Sequence, residues 1–577
     1  MPQVVFDGQC PFCSDYVSKL QLENTVGKVE LIDARTDSEL VTKLESQGYE
    51  LDRGMVFIQD GNYYFGHDAM HRLALLSTKS GWFNRFNNWL FSIKPLAFFI
   101  YPLLRLGRNS TLLLMGREPI QQDATKKALF KLFTIIWAMF CLLHVAVYST
   151  QYERASFITS VGVGVFALIL LLKPGSKPFF ITTIILASIS AISQMPVISN
   201  HSQVTNFFLL SALLLGIYHS LRGSSWALFF QQLCYAGRGL LLTMYLFGVL
   251  HKINSDFLNP DVSCAVTLWR EMPYFLSWLD FSVVHYLTIY GTLIGETVIA
   301  ICLLVPRWRH LGIVSGMAFH ALLGLSGYAM YPPFSTLCIA LHCCFLSPLA
   351  AQNIIKAQEW AQLWCWFKSV KGLIVGCGLF LMLLFTAWIK SYAAFGILWL
   401  LLISPFLFIV ARYGNEPATA QLQSDIPSKV IVSSIILLFL FNGFTPYLGL
   451  KTAQSINMFA NLRLEADVSN HLIFTKRPGP WHYLDDVVTI EHAGSIAALE
   501  YAKSNNLGVV YYQLLHYLQQ NPAAKVNFMR DNVLHKQQSA ESLQQDITDT
   551  LHPAWVRKVL HFNVVDFTTP KPCALDR

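Results

Sequence analysis

The chain has 577 residues, of which 54% are hydrophobic, 14% aromatic and only 13% charged. Soluble domains carry roughly 25% charged residues, so this composition excludes an ordinary soluble enzyme and predicts a polytopic α-helical membrane protein. The net charge of +7 is small for this length, and we attribute it to membrane topology rather than to a nucleic-acid partner. The first residues lack the charged and apolar regions of a signal peptide, so the N-terminal domain is expected to stay in the cytoplasm.

The first chemically informative motif follows a short apolar run, Val4 to Phe6, which predicts a buried strand. Asp7 comes next, and Cys10 and Cys13 then form a Cys-x-x-Cys turn. A strand that runs into such a turn is how a thioredoxin-like domain presents a redox pair. A helix that begins near Cys10 places its N–H groups and positive dipole end beside the sulfur, which favours the thiolate. We therefore predict that Cys10 is the attacking thiol and that Cys13 is the resolving thiol.

Asp7 is interpreted as a cap of this helix or as a proton acceptor. A competing interpretation makes the two cysteines half of a zinc site, with His67 and His71 as an i, i+4 pair on a later helix. The separation from Cys13 to His67 far exceeds the roughly 12–15 residues of a zinc finger. The preferred interpretation is therefore a redox pair that needs neither a metal nor a cofactor.

The first 120 residues are expected to form one small α/β domain that ends in interfacial amphipathic helices. A hairpin is predicted because Asp60-Gly61-Asn62 separates two short apolar runs. Aromatic residues between positions 80 and 120 predict helices that lie at the membrane surface. The predicted elements are strands at 4–6, 29–32, 55–59 and 63–65 and helices from Cys10, at 37–47 and at 66–77, and the interfacial residues are Trp82, Phe83, Phe86, Trp89 and Arg105.

Residues 127–448 are predicted to form a membrane bundle of about eleven helices, each near the roughly 20 residues that span a bilayer. Basic residues fall in alternate loops, and the positive-inside rule then puts the N-terminus in the cytoplasm and the C-terminal domain outside. The segments are 130–149, 156–173, 178–198, 205–221, 237–253, 283–305, 310–330, 334–350, 370–389, 393–412 and 429–447, and the basic loop residues include Lys126, Lys127, Lys173, Lys177, Arg222, Arg238, Arg307, Arg309, Lys356, Lys368 and Lys371.

Ionisable residues inside these segments form the second candidate site, because each costs at least about 2.5–3.5 kcal/mol at the bilayer centre. Lys252, Glu296 and His320 are the candidates, and they form a site if they converge in one polar pocket. Two alternatives stay open. Lys252 snorkels to the interface and pairs with Asp256 one turn on, or Glu296 and His320 only hydrogen-bond to other helices. His144 and His342 are interpreted as structural.

Residues 449–577 are predicted to form a small external α+β domain. Its expected elements are a strand at 487–490, a helix at 508–518 and a strand at 559–565. No catalytic constellation is recognised in it.

The N-terminal segment resembles the DCC family, which is named for its Asp-x-x-Cys-x-x-Cys motif. Further matching stretches are Gly54-Met55-Val56-Phe57, Asp60-Gly61 and Gly66-His67-Asp68-Ala69. The resemblance covers about the first 115 residues and implies a thioredoxin-like core with thiol–disulfide oxidoreductase activity. Gly54 and Met55 stand where ordinary thioredoxins carry a proline before the substrate-facing strand.

The membrane region, over about residues 130–350, is similar to the HTTM domain of bacterial relatives of the vitamin K-dependent γ-carboxylase. This resemblance places Lys252 where the carboxylase has a lysine that acts as a base on a reduced quinone, and it implies a quinone-like ligand. His251 replaces a second lysine of that family. The matching stretches are 247–257, Pro306-Arg307-Trp308-Arg309, Phe319-His320 and 328–334.

The predicted function is thiol–disulfide exchange by a cytosolic domain on a multi-pass protein of the inner (plasma) membrane. Its expected partners are protein or small-molecule thiols and disulfides, together with the lipid bilayer. In a reducing cytosol the resting pair should be the dithiol, so net reduction is expected. The alternative is a carboxylase-like membrane enzyme that handles a quinone or lipid, or a transporter or scaffold, with the redox domain as an accessory.

Overall fold

A computed structural model describes most of the chain: residues 2–19, 29–47, 49, 51, 54–77, 81–93, 95, 97–98, 100–101, 104, 124–148, 154–196, 199–222, 224–328, 331–416 and 425–573. Two compact units are present. The first comprises Met1–Lys127, Leu214–Leu233 and Ala420–Lys429, and the second comprises Ala128–Leu213, Cys234–Thr419 and Val430–Arg577. The first unit holds the N-terminal α/β region, and the second holds most of the helical body and the C-terminal region.

The N-terminal region is built on a four-stranded sheet with the order β2-β1-β3-β4. Strand β1 is parallel to β2 and antiparallel to β3, and β3 and β4 form an antiparallel hairpin. Asp60 and Gly61 connect the hairpin with positive φ angles of 51° and 77°, as two-residue hairpin loops require. The strands are β1 (Gln3–Phe6), β2 (Glu30–Asp33), β3 (Val56–Gln59) and β4 (Asn62–Phe65).

Helices cover both faces of this sheet, because successive strand side chains point to opposite sides. Val4 belongs to one buried cluster together with Phe57 and Leu73, whereas Val5 belongs to a second cluster with Val41. The predicted α/β pattern is confirmed, with shifts of only one or two residues at the element ends. The helices are α1 (Pro11–Lys19), α2 (Ser38–Ser46), α3 (His67–Leu76) and α4 (Trp82–Phe91).

Helix α4 exposes large aromatic side chains on one face and buries asparagine and phenylalanine side chains on the other. Trp82, Phe86 and Trp89 are exposed at the spacing of one helical face. On the other face, Asn87 accepts a hydrogen bond from the Tyr16 hydroxyl at 3.0 Å. The interfacial position of this helix stays a prediction, and Arg105, also expected in this region, lies outside the described residues.

Over the described residues from 124 to 448, sixteen α-helices make up the helical body. They are α5 (Ala124–Tyr148), α6 (Arg154–Leu172), α7 (Lys177–Gln194), α8 (Asn200–Arg222), α9 (Trp226–Leu250), α10 (Ser255–Leu258), α11 (Cys264–Arg270), α12 (Tyr274–Ser277), α13 (Ser282–Leu304), α14 (Arg309–Leu323), α15 (Tyr331–Cys343), α16 (Pro348–Lys356), α17 (Gln358–Lys368), α18 (Val370–Trp388), α19 (Tyr392–Tyr413) and α20 (Ile426–Leu448).

Within the described part of the chain, eight of these helices are long and apolar enough to cross a bilayer, or nine if α15 and α16 count as one bent span. The eight are α5, α7, α8, α9, α13, α18, α19 and α20. Each of the predicted segments coincides with a helix, but α14 and α15 have only 15 and 13 residues. The apolar part of α6 is also short. The apolar helices indicate a multi-pass membrane protein.

The break between α15 and α16, which meet at 114°, explains one error in the sequence analysis. Arg238 was assigned to a loop, but it lies inside α9. Its Nε donates to the carbonyl of Cys344 at 2.7 Å, one of the carbonyls that the end of α15 leaves without an intrahelical partner. Gly237 allows α9 to approach Cys344 closely, since a Cβ at position 237 would lie 3.0 Å from the Cys344 sulfur.

The C-terminal region contains an antiparallel sheet with the order β6-β5-β7-β8. Two of the elements predicted for this region differ from those in the structure. Residues 508–510 form a strand rather than the start of a helix, because Val509 and Val510 pair with β5. Of the expected strand at 559–565, only Val565 pairs, in a bridge to Gly508. The elements are β5 (Val487–His492), α21 (Ala497–Ser504), β6 (Gly508–Val510), α22 (Tyr511–Gln520), β7 (Val526–Arg530), β8 (Val533–Gln538), α23 (Gln544–Thr550) and α24 (Ala554–Arg557).

A disulfide links Cys573 to Cys264 at the start of α11, across 309 residues of sequence. The segment before Cys573 is also hydrogen-bonded in place. The Lys571 amide donates to Asp256 Oδ2 at 3.1 Å, and the Lys571 carbonyl accepts from Asn461 at 3.1 Å. This segment therefore lies across α10 and α11, a link that sequence reasoning missed.

Candidate redox site and intramembrane polar cluster

The two cysteines of the redox motif lie where β1 leads into α1. The Cys10 sulfur accepts a hydrogen bond from the Cys13 amide at 3.3 Å, so Cys10 occupies the capping position of α1. The Cys10 amide donates to the Asp7 carbonyl at 3.1 Å, which closes the turn. A backbone N–H and the positive end of a helix therefore face the sulfur, as a reactive thiolate requires.

The two sulfurs differ in accessibility. Cys10 is buried, whereas Cys13 is half-buried. Phe12 between them is exposed. A substrate disulfide thus reaches Cys13 more easily, whereas the electrostatic environment favours Cys10.

Asp7 anchors the turn through its side chain. Its buried carboxylate accepts from Arg35 Nε at 2.6 Å, from Arg35 Nη2 at 3.2 Å and from the Gln9 amide at 3.1 Å. Asp33 at the end of β2 accepts from the Gly8 amide at 2.9 Å. The two carboxylates thus fix the Cys-x-x-Cys turn to the neighbouring strand.

The two histidines of the zinc interpretation are engaged in packing. His71 Nδ1 lies 2.6 Å from the Phe91 carbonyl, and the His67 ring packs edge-on against Phe98 at 5.3 Å. Over the described residues, no group of three or more His, Cys, Asp or Glu side chains is placed to hold a metal ion. The zinc interpretation gains no support from this geometry.

Lys252 and Glu296 form a buried ion pair in the helical body. Lys252 Nζ lies 2.7 Å from Oε1 and 2.9 Å from Oε2 of Glu296, and each side chain is only 10% exposed. The alternative pairing of Lys252 with Asp256 is not found among the described residues, where Asp256 instead accepts from Asn470 at 2.8 Å and from the Lys571 amide. Gly248 makes room for the pair, since a Cβ there would lie 2.9 Å from Glu296 Oε2.

His320 belongs to a second buried group centred on a tyrosine. The Tyr245 hydroxyl lies 3.0 Å from His320 Nε2 and 3.2 Å from His342 Nε2. His342 Nδ1 lies 2.7 Å from the Cys338 carbonyl and so carries the proton of a neutral imidazole. Tyr245 then donates to His342, and His320 Nε2 donates to Tyr245. His342 is therefore part of a hydrogen-bond chain rather than an isolated structural residue.

The remaining nitrogen of His320, Nδ1, is buried and has no hydrogen-bond partner among the described residues. In the tautomer above it is an acceptor, so it is suited to an O–H or N–H group of a ligand. Lys252 follows Tyr245 by only seven residues, so the ion pair and this group both lie at the C-terminal end of α9. The three predicted residues therefore lie in adjoining polar groups.

Sequence reasoning missed Tyr245 and Gly248, although a signal for them exists. They precede Lys252 by seven and four residues, the spacing of one helical face. The disulfide between Cys264 and Cys573 had no such local signal, because its cysteines have no redox spacing and lie far apart in sequence.

Comparison with known proteins bears on the N-terminal region alone. No curated protein and no solved structure matches the chain. The resemblance of the helical body to the HTTM domain remains a prediction. Residues 4–113, which contain the sheet, the Cys-x-x-Cys turn and α4, match the family model of the DCC1-like thiol-disulfide oxidoreductases.

Proposed function

We propose that the chain is a membrane-anchored thiol–disulfide oxidoreductase whose reacting groups are Cys10 and Cys13. The observation that best supports this proposal is the hydrogen bond at the start of α1, in which the Cys13 amide lies 3.3 Å from the Cys10 sulfur. The strand order β2-β1-β3-β4 supports a thioredoxin-like unit, and the match over 4–113 supports the same reaction class. Asp7 is a positioning residue in this proposal.

The proposed reaction balances without a cofactor. The Cys10 thiolate attacks one sulfur of a substrate disulfide, and the other sulfur leaves as a thiolate that takes up a proton. The Cys13 thiol loses its proton and attacks the Cys10 sulfur, which releases the second substrate thiol. Cys10 and Cys13 end as a disulfide, and a cytosolic dithiol reduces them for the next cycle.

Two observations support a cytoplasmic redox domain and an external C-terminal domain on the inner membrane, an arrangement that requires α6, α14 and the bent pair α15–α16 to cross the bilayer together with the eight long helices. Basic residues cluster at alternate helix ends, as in Lys173 and Lys177 between α6 and α7. The structural disulfide between Cys264 and Cys573 suits an oxidising compartment for the C-terminal region.

Replacing the resolving thiol tests the proposal. In membranes that carry Cys13→Ser, we expect mixed disulfides between Cys10 and substrates to accumulate, because the second exchange step cannot occur. Non-reducing gels detect the adducts, and mass spectrometry of dithiothreitol-sensitive bands identifies the partners. Cys365→Ser, at an exposed cysteine, is the matched control and should trap nothing.

The partial burial of Cys10 makes the reciprocal variant informative. If Cys10→Ser traps adducts and Cys13→Ser does not, Cys13 is the attacking thiol and the assigned roles are reversed. If neither variant traps a partner and zinc co-purifies in proportion to the two cysteines, the oxidoreductase proposal fails.

The orphaned nitrogen of His320 favours a second candidate function, binding of a quinone-like ligand in the helical body. An acceptor at Nδ1 predicts that a reduced quinone, which has hydroxyl donors, binds more tightly than its oxidised form. Menadiol and menadione should therefore differ at least tenfold in affinity for the detergent-purified chain, measured by quenching of tryptophan fluorescence. His320→Phe should abolish the difference and His482→Phe, at an exposed site, should preserve it. Equal affinities for the two forms in the unaltered chain would contradict this candidate.

A further inference from the structure

Four basic side chains of the C-terminal region interact electrostatically with one another, and within the described residues none of them has an acidic partner. Lys451 follows α20 by three residues and is 5% exposed, and His516 in α22 is 8% exposed. Arg557 ends α24, and His561 lies four residues beyond it. No carboxylate forms an ion pair with any of the four within the described chain. Buried charges are normally paired, so this arrangement requires an explanation.

Hydrogen bonds leave several nitrogen atoms of this basic cluster unsatisfied. His516 Nδ1, Arg557 Nε and His561 Nδ1 are buried without a partner among the described residues. Gln520 Nε2 lies 3.2 Å from His516 Nε2, so a neutral His516 that accepts from Gln520 carries its proton on Nδ1. That N–H and the Arg557 Nε–H are donors with no acceptor.

The electrostatic interactions within this basic cluster also favour a bound anion. Burial lowers the pKa of Lys451 to about 8. Burial also lowers the pKa of His561 to about 4, with a further contribution from the positive charge of Lys451. The basic groups are thus close enough to repel one another. A bound anion removes this repulsion and accepts the orphaned donors.

The position of the cluster suggests what the anion is. Lys558, next to Arg557, donates from Nζ to the carbonyl of Ile192 in the last turn of α7 at 3.0 Å. Lys451 lies just beyond the end of α20. Trp555 on α24 is 74% exposed, and tryptophan is enriched at the level of lipid headgroups. The basic cluster therefore lies where two apolar helices end, at the depth of headgroup phosphates.

We propose that Lys451, His516, Arg557 and His561 form a binding site for a phosphate group at the membrane surface. Arg557 supplies a guanidinium donor, Lys451 supplies charge, and the two imidazoles supply N–H donors. The phosphate comes either from an anionic lipid headgroup or from a soluble phosphate ester.

Ligand titrations of the full chain in phosphate-free detergent test this site and identify the source. Inorganic phosphate and a short-chain phosphatidylglycerol are added separately, and thermal unfolding is followed by intrinsic fluorescence. A ligand that binds only the folded state raises the unfolding temperature in proportion to its occupancy. Stabilisation by the lipid alone assigns a headgroup, and stabilisation by inorganic phosphate assigns a soluble ester.

Variants make the test specific. Lys451→Met should weaken phosphate binding at least tenfold, yet the ligand-free protein should be as stable as the unaltered chain or more so, because a buried unpaired charge is removed. Arg557→Gln should weaken binding independently, so the test does not depend on one variant folding. Lys536→Met, at an exposed lysine of the same region, should change nothing. Equal stabilisation of the unaltered chain and both site variants, or no stabilisation by either ligand, overturns the proposal.

Discussion

Replacing Lys252 with methionine should destabilise the protein by about 3–5 kcal/mol, because the buried Glu296 carboxylate loses its ion-pair partner. The two groups are 2.7 Å apart. Removing one partner leaves an uncompensated charge in a region where charge is costly. The cost should persist at high salt, since a buried pair is little screened.

A double-mutant cycle distinguishes stability lost with the ion pair from stability lost through altered packing. Unfolding in mixed micelles is compared for Lys252→Met, for Glu296→Met and for the two changes combined. The combined variant should recover most of the lost stability, because no buried charge then remains. Lys371→Met, at an exposed lysine, is the matched control. Additive losses in the combined variant would show that the two side chains act independently.

Removing the disulfide between Cys264 and Cys573 should cost about 2–4 kcal/mol, mainly by releasing a long loop in the unfolded chain. The double variant Cys264→Ser/Cys573→Ser avoids a new free thiol. Amide hydrogen exchange over 565–573 should accelerate most, because Lys571 then holds this segment only through hydrogen bonds.

Reductant provides the internal control for this second prediction. Dithiothreitol should lower the stability of the unaltered chain towards that of the double variant and should leave the double variant unchanged. A membrane-impermeant phosphine added to intact cells should reduce the bond if the C-terminal region is external. Protection from the phosphine in intact cells, with reduction after lysis, would contradict the proposed orientation.

Local patterns were sufficient to predict the α/β region. Val4 and Val5 point to opposite faces by strand geometry alone, and Asp60-Gly61 supports the positive φ angles of the hairpin turn. The ion pair between Lys252 and Glu296 was not predictable in this way, since Lys252 lies in the turn after α9 and Glu296 lies on α13, 44 residues further along the chain. Apolar helices carry little information about which faces meet, because every face of a membrane helix is apolar.

Arg238 illustrates the same limit. Its charge suggested a loop, because sequence alone does not reveal that the break after α15 provides a carbonyl acceptor at Cys344. The beginning of α9 was therefore predicted about eleven residues too late. Charged residues mark loops only when no partner is available within the bundle.

The chain of hydrogen bonds from His320 through Tyr245 to His342 ends at a peptide carbonyl. A carbonyl oxygen of this kind accepts a hydrogen bond but does not pass a proton on. A proton delivered to His320 Nδ1 can therefore move as far as His342 and must then return by the same route. A proton that enters this chain of hydrogen bonds cannot leave it at the His342 end. It can store one beside a ligand during a reaction, but this branch gives no path for protons to leak across the membrane.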